Sequence, residues 1–187
     1  MTPFILRPAA QADALGAAAV VQAVFEEYGF IWEPEGYHLD LYQLDRFYAQ
    51  RGHRFWVAER DGRIVGTVAL ERFSRVEGEA GTRVLLEGPG GLPQWRIAGC
   101  DCALERLYVH PSARRLGLGQ ALFAQTMTQA RADGLQAMEI WSDKRFTDAH
   151  RLYQRAGARV VGERICHDPD QSPEWGLVLP LSSGHQP

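Results

Sequence analysis

Between Leu104 and Leu122 the chain reads Leu104-Glu105-Arg106-Leu107-Tyr108-Val109-His110-Pro111, then, after two residues, Arg114-Arg115-Leu116-Gly117-Leu118-Gly119-Gln120-Ala121-Leu122. This pattern predicts a strand, a sharp basic turn and a helix. Gly117 and Gly119 let backbone N–H groups at the helix start come close to an anion. The helix dipole and the guanidinium groups of Arg114 and Arg115 favour negative charge at the same point. The corner therefore suits a phosphate or pyrophosphate carried by a small molecule, and it commits the chain to strand–helix units.

With 187 residues there is room for a single domain with a sizeable core, covering 1–187. The net charge of −3 gives no clustered basic face of the kind a nucleic-acid partner needs. Cys100, Cys102 and Cys166 make no disulfide framework, and Cys100-Asp101-Cys102 lacks the further ligands of a zinc site, so no metal is expected. Reduced thiols, the absence of a long apolar run and an N-terminus without a signal pattern point to a cytoplasmic protein that does not engage a membrane.

Phe4 to Arg7 predicts a short strand, with Pro8 at a helix entry. Leu15, Ala18, Val21, Phe25 and Tyr28 recur at helical spacing, and Gly29 closes that helix. An ordered loop over 30–38 and a second helix over 39–50 follow. Asp61-Gly62 between two β-branched runs, 54–60 and 63–73, predicts a hairpin. Residues 74–99 form a long insertion loop, rich in Gly and Pro, with room for a short hairpin at Val84-Leu85-Leu86; a loop of this length is usually functional or mobile. Then come a strand at 101–109, a helix at 117–131 with Phe123, Met127 and Ala130 on one stripe, and a strand at 135–141. A helix from Thr147 closed by Gly157, strands at 158–165 and 174–181, and a frayed tail at 182–187 complete the chain. The order β-α-α-β-β-β-α-β-α-β-β predicts an α/β (α+β) fold, a mixed central sheet of about six to seven strands with helices on both faces.

The chain resembles the GNAT superfamily of acyl-CoA-dependent N-acyltransferases. Arg114-x-x-Gly117-x-Gly119 matches that family's pyrophosphate signature, and Arg106-Leu107-Tyr108-Val109-x-Pro111 its lead-in strand. Ala149-His150-Arg151-Leu152-Tyr153-Gln154-Arg155-Ala156-Gly157-Ala158 is similar to its second signature. The resemblance implies acetyl-CoA as co-substrate and a primary amine of a small molecule or peptide as acceptor. Leu107, Tyr108 and Val109 would pair with the pantetheine arm and polarise the thioester carbonyl. Arg114, Arg115, Leu116, Gly117, Leu118, Gly119 and Gln120 would hold the diphosphate. A homodimer through the closing hairpin is compatible with the family.

The resemblance implies that Tyr153 protonates the leaving thiolate; the other role for it is a core tyrosine. The family's usual glutamate, fourteen residues before the first motif glycine, is replaced by Ala103. Glu105, two residues on and on the same strand face, is the first substitute base, with a solvated or ion-paired charge as the competing role. Asp101 and Glu27 rank below it. Phe146 stands where an asparagine is common, leaving Ser142 or Thr147 to contact the CoA arm; Thr147 or Asp148 is expected to cap the helix. His110, His150 and His167 read as surface or capping residues. Glu26-Glu27-Tyr28-Gly29-Phe30-Ile31-Trp32, the 74–99 loop and residues 167–175 are the acceptor-facing candidates; two carboxylates beside aromatics suit a cationic amine. A non-catalytic acyl-CoA-binding domain is the alternative. A dinucleotide-binding fold is disfavoured because the third glycine is missing.

Overall fold

The structure, a computed structural model, describes residues 3–88 and 93–181. The predicted frayed tail at 182–187 lies outside the described residues. Strands β1 (Ile5–Pro8), β2 (Arg54–Arg60), β3 (Arg63–Arg72), β6 (Cys102–Val109), β7 (Ala137–Asp143), β8 (Arg159–Ile165) and β9 (Pro173–Pro180) form a seven-stranded sheet in the order β1-β2-β3-β6-β7-β9-β8. β6 and β7 pair in parallel, whereas β1–β2, β2–β3, β7–β9 and β8–β9 pair antiparallel, so the sheet is mixed as expected. By chain contacts the residues group into two compact units, one of 1–71, 105–127 and 167–170, the other of 72–104, 128–166 and 171–187.

In the first unit, α1 (Ala14–Tyr28) ends at Gly29, whose left-handed backbone (φ 70°) closes the helix. Its buried stripe is Ala14, Ala17, Ala18, Val20, Val21, Val24 and Phe25, while Leu15 and Tyr28 are exposed. The Asp61-Gly62 turn is left-handed at both residues (φ 51° and 73°), the geometry that joins β2 to β3 without splaying them. Pairing then passes from Ala58↔Gly66 to Glu59↔Ile64, leaving Val65 as the extra residue of a bulge. Ile64 meets α1 at Gly16, where a Cβ would come within 2.8 Å of it; Gly66 receives Leu118 and Leu122 of α4 (Leu118–Ala132).

The single helix expected over 39–50 is instead two short ones, α2 (Leu39–Tyr42) and α3 (Leu44–Phe47), followed by a 3-10 turn at Ala49–Arg51. Gln43 breaks the run (φ −131°, ψ 55°), and the bend lets both Leu41 and Leu44 bury. Pro8 ends β1 rather than opening a helix; a 3-10 turn at Gln11–Asp13 leads into α1.

In the second unit, the 74–99 insertion holds an ordered antiparallel hairpin, β4 (Arg83–Glu87) with β5 (Pro93–Ile97), that includes Val84-Leu85-Leu86. Arg96 enters from it, nearly buried, and donates Nη1 to Glu139 Oε1 at 2.8 Å, while Ile97 N–H donates to Glu139 Oε2 at 2.7 Å. Burial pushes the Glu139 carboxyl up from its ordinary range against the pull of Arg96. Trp141 of β7 lies over Gly176 of β9, where a Cβ would meet its ring at 2.6 Å. α5 (Thr147–Arg155) buries Tyr153 and is closed by Gly157 (φ 99°). Neither Thr147 nor Asp148 caps it: Phe146 holds the N-cap position with no side-chain hydrogen bond, and Asp148 accepts from Arg151 instead at 2.7 Å.

Candidate functional site

The half of β6 that belongs to the first unit, Glu105 to Val109, is half-buried throughout, unlike the fully buried Cys102 to Leu104. The register of β6 with β7 reaches Leu104↔Ile140. Two residues beyond it Arg106 is left-handed (φ 52°), a conformation that costs a side-chain-bearing residue roughly 1–2 kcal/mol. The local contacts hold it there. Arg106 donates Nη2 to Asp40 Oδ1 at 2.7 Å and to the Tyr37 carbonyl at 2.9 Å, and Nε to Asp40 Oδ2 at 3.0 Å. Thr67 Oγ1 donates to the Arg106 carbonyl at 2.7 Å. Tyr48 donates its phenol to Asp40. Burial works to push the Arg106 guanidinium down, but Asp40 and the surrounding phenol groups hold it well above its ordinary value, so it stays charged. A bent, clamped strand of this kind re-aims the main chain that follows it. Sequence reasoning offered Arg106 as a motif residue and as an ion-pair partner for Glu105; Asp40, which it engages, lies 66 positions away, beyond any local signal.

Past Val109 the chain makes a 3-10 turn at Pro111–Ala113, with His110 Nδ1 accepting from Ser112 N–H at 3.2 Å in the capping role expected for it. Arg115 and Gly117 are both left-handed (φ 61° and 76°), and α4 starts at Leu118. Ala121 N–H donates to the Gly117 carbonyl at 3.0 Å, the first bond of the helix. The N–H groups of Leu118, Gly119 and Gln120 precede that bond and have no intrahelical acceptor. Left-handed residues just before a helix start gather such donors into an anion-binding concavity. A Cβ on Gly117 would meet nothing within 4 Å and would stand in open space, and a Cβ on Gly119 would lie 3.7 Å from Val109 Cγ2, ordinary van der Waals contact. The donor set fits a diphosphate. Arg114, expected to assist there, is held by Glu27 on α1, donating Nη1 to its Oε1 at 2.8 Å and Nη2 to Oε2.

Glu105 is half-buried, and its charge helps raise the pKa of the Tyr48 phenol, after burial and Asp40. Ala103 is buried, and its register partner on β7 is Glu139, engaged by Arg96 and Ile97. Asp101 accepts from Gln136 N–H at 2.9 Å and Ala137 N–H at 3.2 Å, so it starts β7. Tyr153 belongs to the second unit; its side chain is buried and its carbonyl accepts from Ala158 N–H at 3.0 Å. Ser142 is buried beside His150, with Nε2 and Oγ 3.1 Å apart, whereas Thr147 is exposed.

The candidate acceptor patch at the end of α1 is an aromatic cluster. Phe25 meets Phe30, Trp32, His38 and Tyr108 edge-on, and Tyr28 stacks on Phe30 at 5.7 Å. His38, absent from the sequence-based candidates, is fully buried and stacked on Trp32 at 3.9 Å. Its Nδ1 accepts from Glu33 N–H at 3.2 Å, which leaves the proton on Nε2. Burial, with the Arg106 charge, pushes its pKa down to about 4. Cys100, Cys102 and Cys166 are buried and form no disulfide, and burial pushes the Cys100 thiol up to about 12. Among the described residues no group of three or more His, Cys, Asp or Glu could hold a metal, and no helix is long and apolar enough to cross a membrane.

Comparison with known proteins identifies the family and the fold. The sequence model of the Acetyltransferase (GNAT) family matches residues 17–158. The chain is 27% identical over 156 residues to YjgM of Escherichia coli K12, named as an uncharacterized N-acetyltransferase, covering 82% of this chain and 80% of that one. The fold matches an acetyltransferase from Streptococcus agalactiae 2603 with a TM-score of 0.70 at 16% identity, over 95% of this chain and 98% of that one. It also matches the Salmonella typhimurium protein yncA, solved with its cofactor acetyl-CoA, with a TM-score of 0.65 at 18% identity, over 100% of this chain and 98% of that one.

Proposed function

This chain belongs to the GNAT acetyltransferase family, and from that membership we propose that it is an N-acetyltransferase that moves an acetyl group from acetyl-CoA to a primary amine of a small molecule or peptide. The observation that carries this reading is the left-handed turn at Arg115 and Gly117, which opens the start of α4 to an anion. Acetyl-CoA, when bound, supplies the activated acyl group as a thioester. Main-chain N–H groups from Arg115 to Gln120 hold the diphosphate, and the main chain of Leu107, Tyr108 and Val109 lines the arm and donates to the carbonyl oxygen. Glu105 takes the proton from the acceptor ammonium, so that the amine nitrogen attacks the carbonyl carbon as the C–S bond breaks. Tyr153 gives its phenol proton to the departing sulfur, and the second proton shed by the amine nitrogen as the amide forms passes to solvent, from which the phenolate is reprotonated. A cytoplasmic setting belongs to the same proposal, in keeping with three cysteines that form no disulfide.

One observation favours a second reading, a non-catalytic acyl-CoA-binding domain. The position of the family's usual carboxylate holds a buried Ala103, and the neighbouring carboxylate, Glu139, is already engaged. Calorimetric titration with acetyl-CoA, CoA and NAD, followed by an amine panel monitored through free thiol release, separates the two. Amine-dependent thiol release supports the enzyme. CoA binding with no release for any amine supports the binding domain, and binding of NAD in place of CoA overturns both.

A further inference from the structure

Arg114, the first cation of the turn, is already committed to a carboxylate. Glu27 takes both of its terminal nitrogens, and the two side chains are 36% and 41% exposed. Glu27 stands beside Glu26 in the last turn of α1, a turn that contains no basic residue. The end of a helix carries partial negative charge, so two carboxylates there are unfavourable unless a cation arrives from elsewhere. Glu26 accepts from the neutral amide of Gln22, at 2.9 Å. The compensating cation for Glu27 comes from 87 positions along the chain, out of the turn assigned to the diphosphate.

We propose that Glu27 sets the cofactor affinity of this turn by competing with the diphosphate for the Arg114 guanidinium. The inference rests on the assignment of 114–120 as the diphosphate-binding turn. A guanidinium presents one planar fork to an oxyanion, and the Nη1 and Nη2 edge occupied by Glu27 is an edge that two phosphate oxygens would use. Both partners of the existing pair are partly exposed and screened by water, so the pair is weak enough to exchange. Bound CoA and the Glu27–Arg114 pair therefore oppose each other, and by linkage anything that neutralises Glu27 tightens the cofactor.

The test is calorimetric titration of CoA into the full chain at fixed ionic strength, for the wild type, Glu27→Gln, Arg114→Gln and the double variant, with Glu26→Gln as a control for charge alone. Glu27→Gln is expected to tighten CoA about two- to five-fold, the size of one exposed ion pair. Arg114→Gln is expected to weaken it, and in that background Glu27→Gln should change nothing. Weaker or unchanged binding in Glu27→Gln overturns the proposal. So does an equal tightening in the Arg114→Gln background or in Glu26→Gln, because removal of negative charge would then be the whole effect. A wild type that binds no CoA removes the parent assignment as well, whereas a wild type that binds while the cycle shows no coupling removes only the role of Glu27.

Discussion

Tyr153 is the buried side chain of α5, and its proposed proton transfer makes a separable demand on turnover. Tyr153→Phe is expected to lower kcat by about 10²-fold or more, the usual scale for a lost general acid, while CoA affinity by calorimetry stays within about twofold. Unchanged turnover removes the assignment. Glu105→Gln should abolish the acidic limb of the kcat/KM profile, and a profile identical to wild type would reassign the base. His38 makes a different demand, on stability. Its folded pKa, about 4, lies below the ordinary 6.5, so between these values the unfolded chain binds more protons than the folded one. The stability it contributes is complete above about pH 6.5 and drains away as pH falls towards 4. His150, also pushed down by burial, adds to the same slope. His38→Gln keeps an acceptor for the Glu33 N–H and cannot titrate, so urea midpoints measured from pH 7 to pH 4 should fall less steeply than in wild type. An equally steep fall would mean that the slope belongs to other groups.

At the scale of elements, the β4–β5 hairpin is joined to the sheet strand β7 by the buried Arg96–Glu139 ion pair, beside the Ile97 N–H bond to the same carboxylate and the packing of Ile97 with Trp141. Glu139→Gln or Arg96→Met alone leaves a buried charge without its partner and should cost about 3–5 kcal/mol in urea unfolding. The double replacement, Arg96→Met with Glu139→Leu, should recover most of that loss; a double variant as unstable as the worse single one would place the cost in hairpin packing. This pair also explains why residues 74–99 read as an insertion loop. Gly and Pro content is a local signal, whereas the Arg96–Glu139 contact spans 43 positions. The elements with local signals were legible: Asp61-Gly62 at its turn, Gly29 and Gly157 at helix ends, and Phe123, Met127 and Ala130 on the buried side of α4. The helix over 39–50 was not, because Leu41 and Leu44 fit a continuous amphipathic pattern and only tertiary packing decides that Gln43 breaks it. In the candidate site, the glycine turn before α4 was legible in the sequence, but the engagement of Arg114 by Glu27 was not, since nothing near either residue announces the other.

For the whole molecule, a ligand that binds only the folded chain raises the stability of everything coupled to its site. CoA at about one hundred times its Kd should raise unfolding stability by about 2.7 kcal/mol, read as a higher Tm in a thermal scan. NAD at the same concentration should leave Tm where it was, and an equal rise with NAD would argue for a general nucleotide pocket. The bend in β6 carries a further implication. Its left-handed Arg106 is clamped by Asp40, and Asp40 is in turn held by Tyr48, so the shape of the motif strand is dictated from an upstream stretch of chain. A transplant of the 104–122 cassette into a foreign scaffold would carry the glycines and arginines yet arrive straightened, and engineers seeking a portable coenzyme cradle would have to move residues 37–48 along with it.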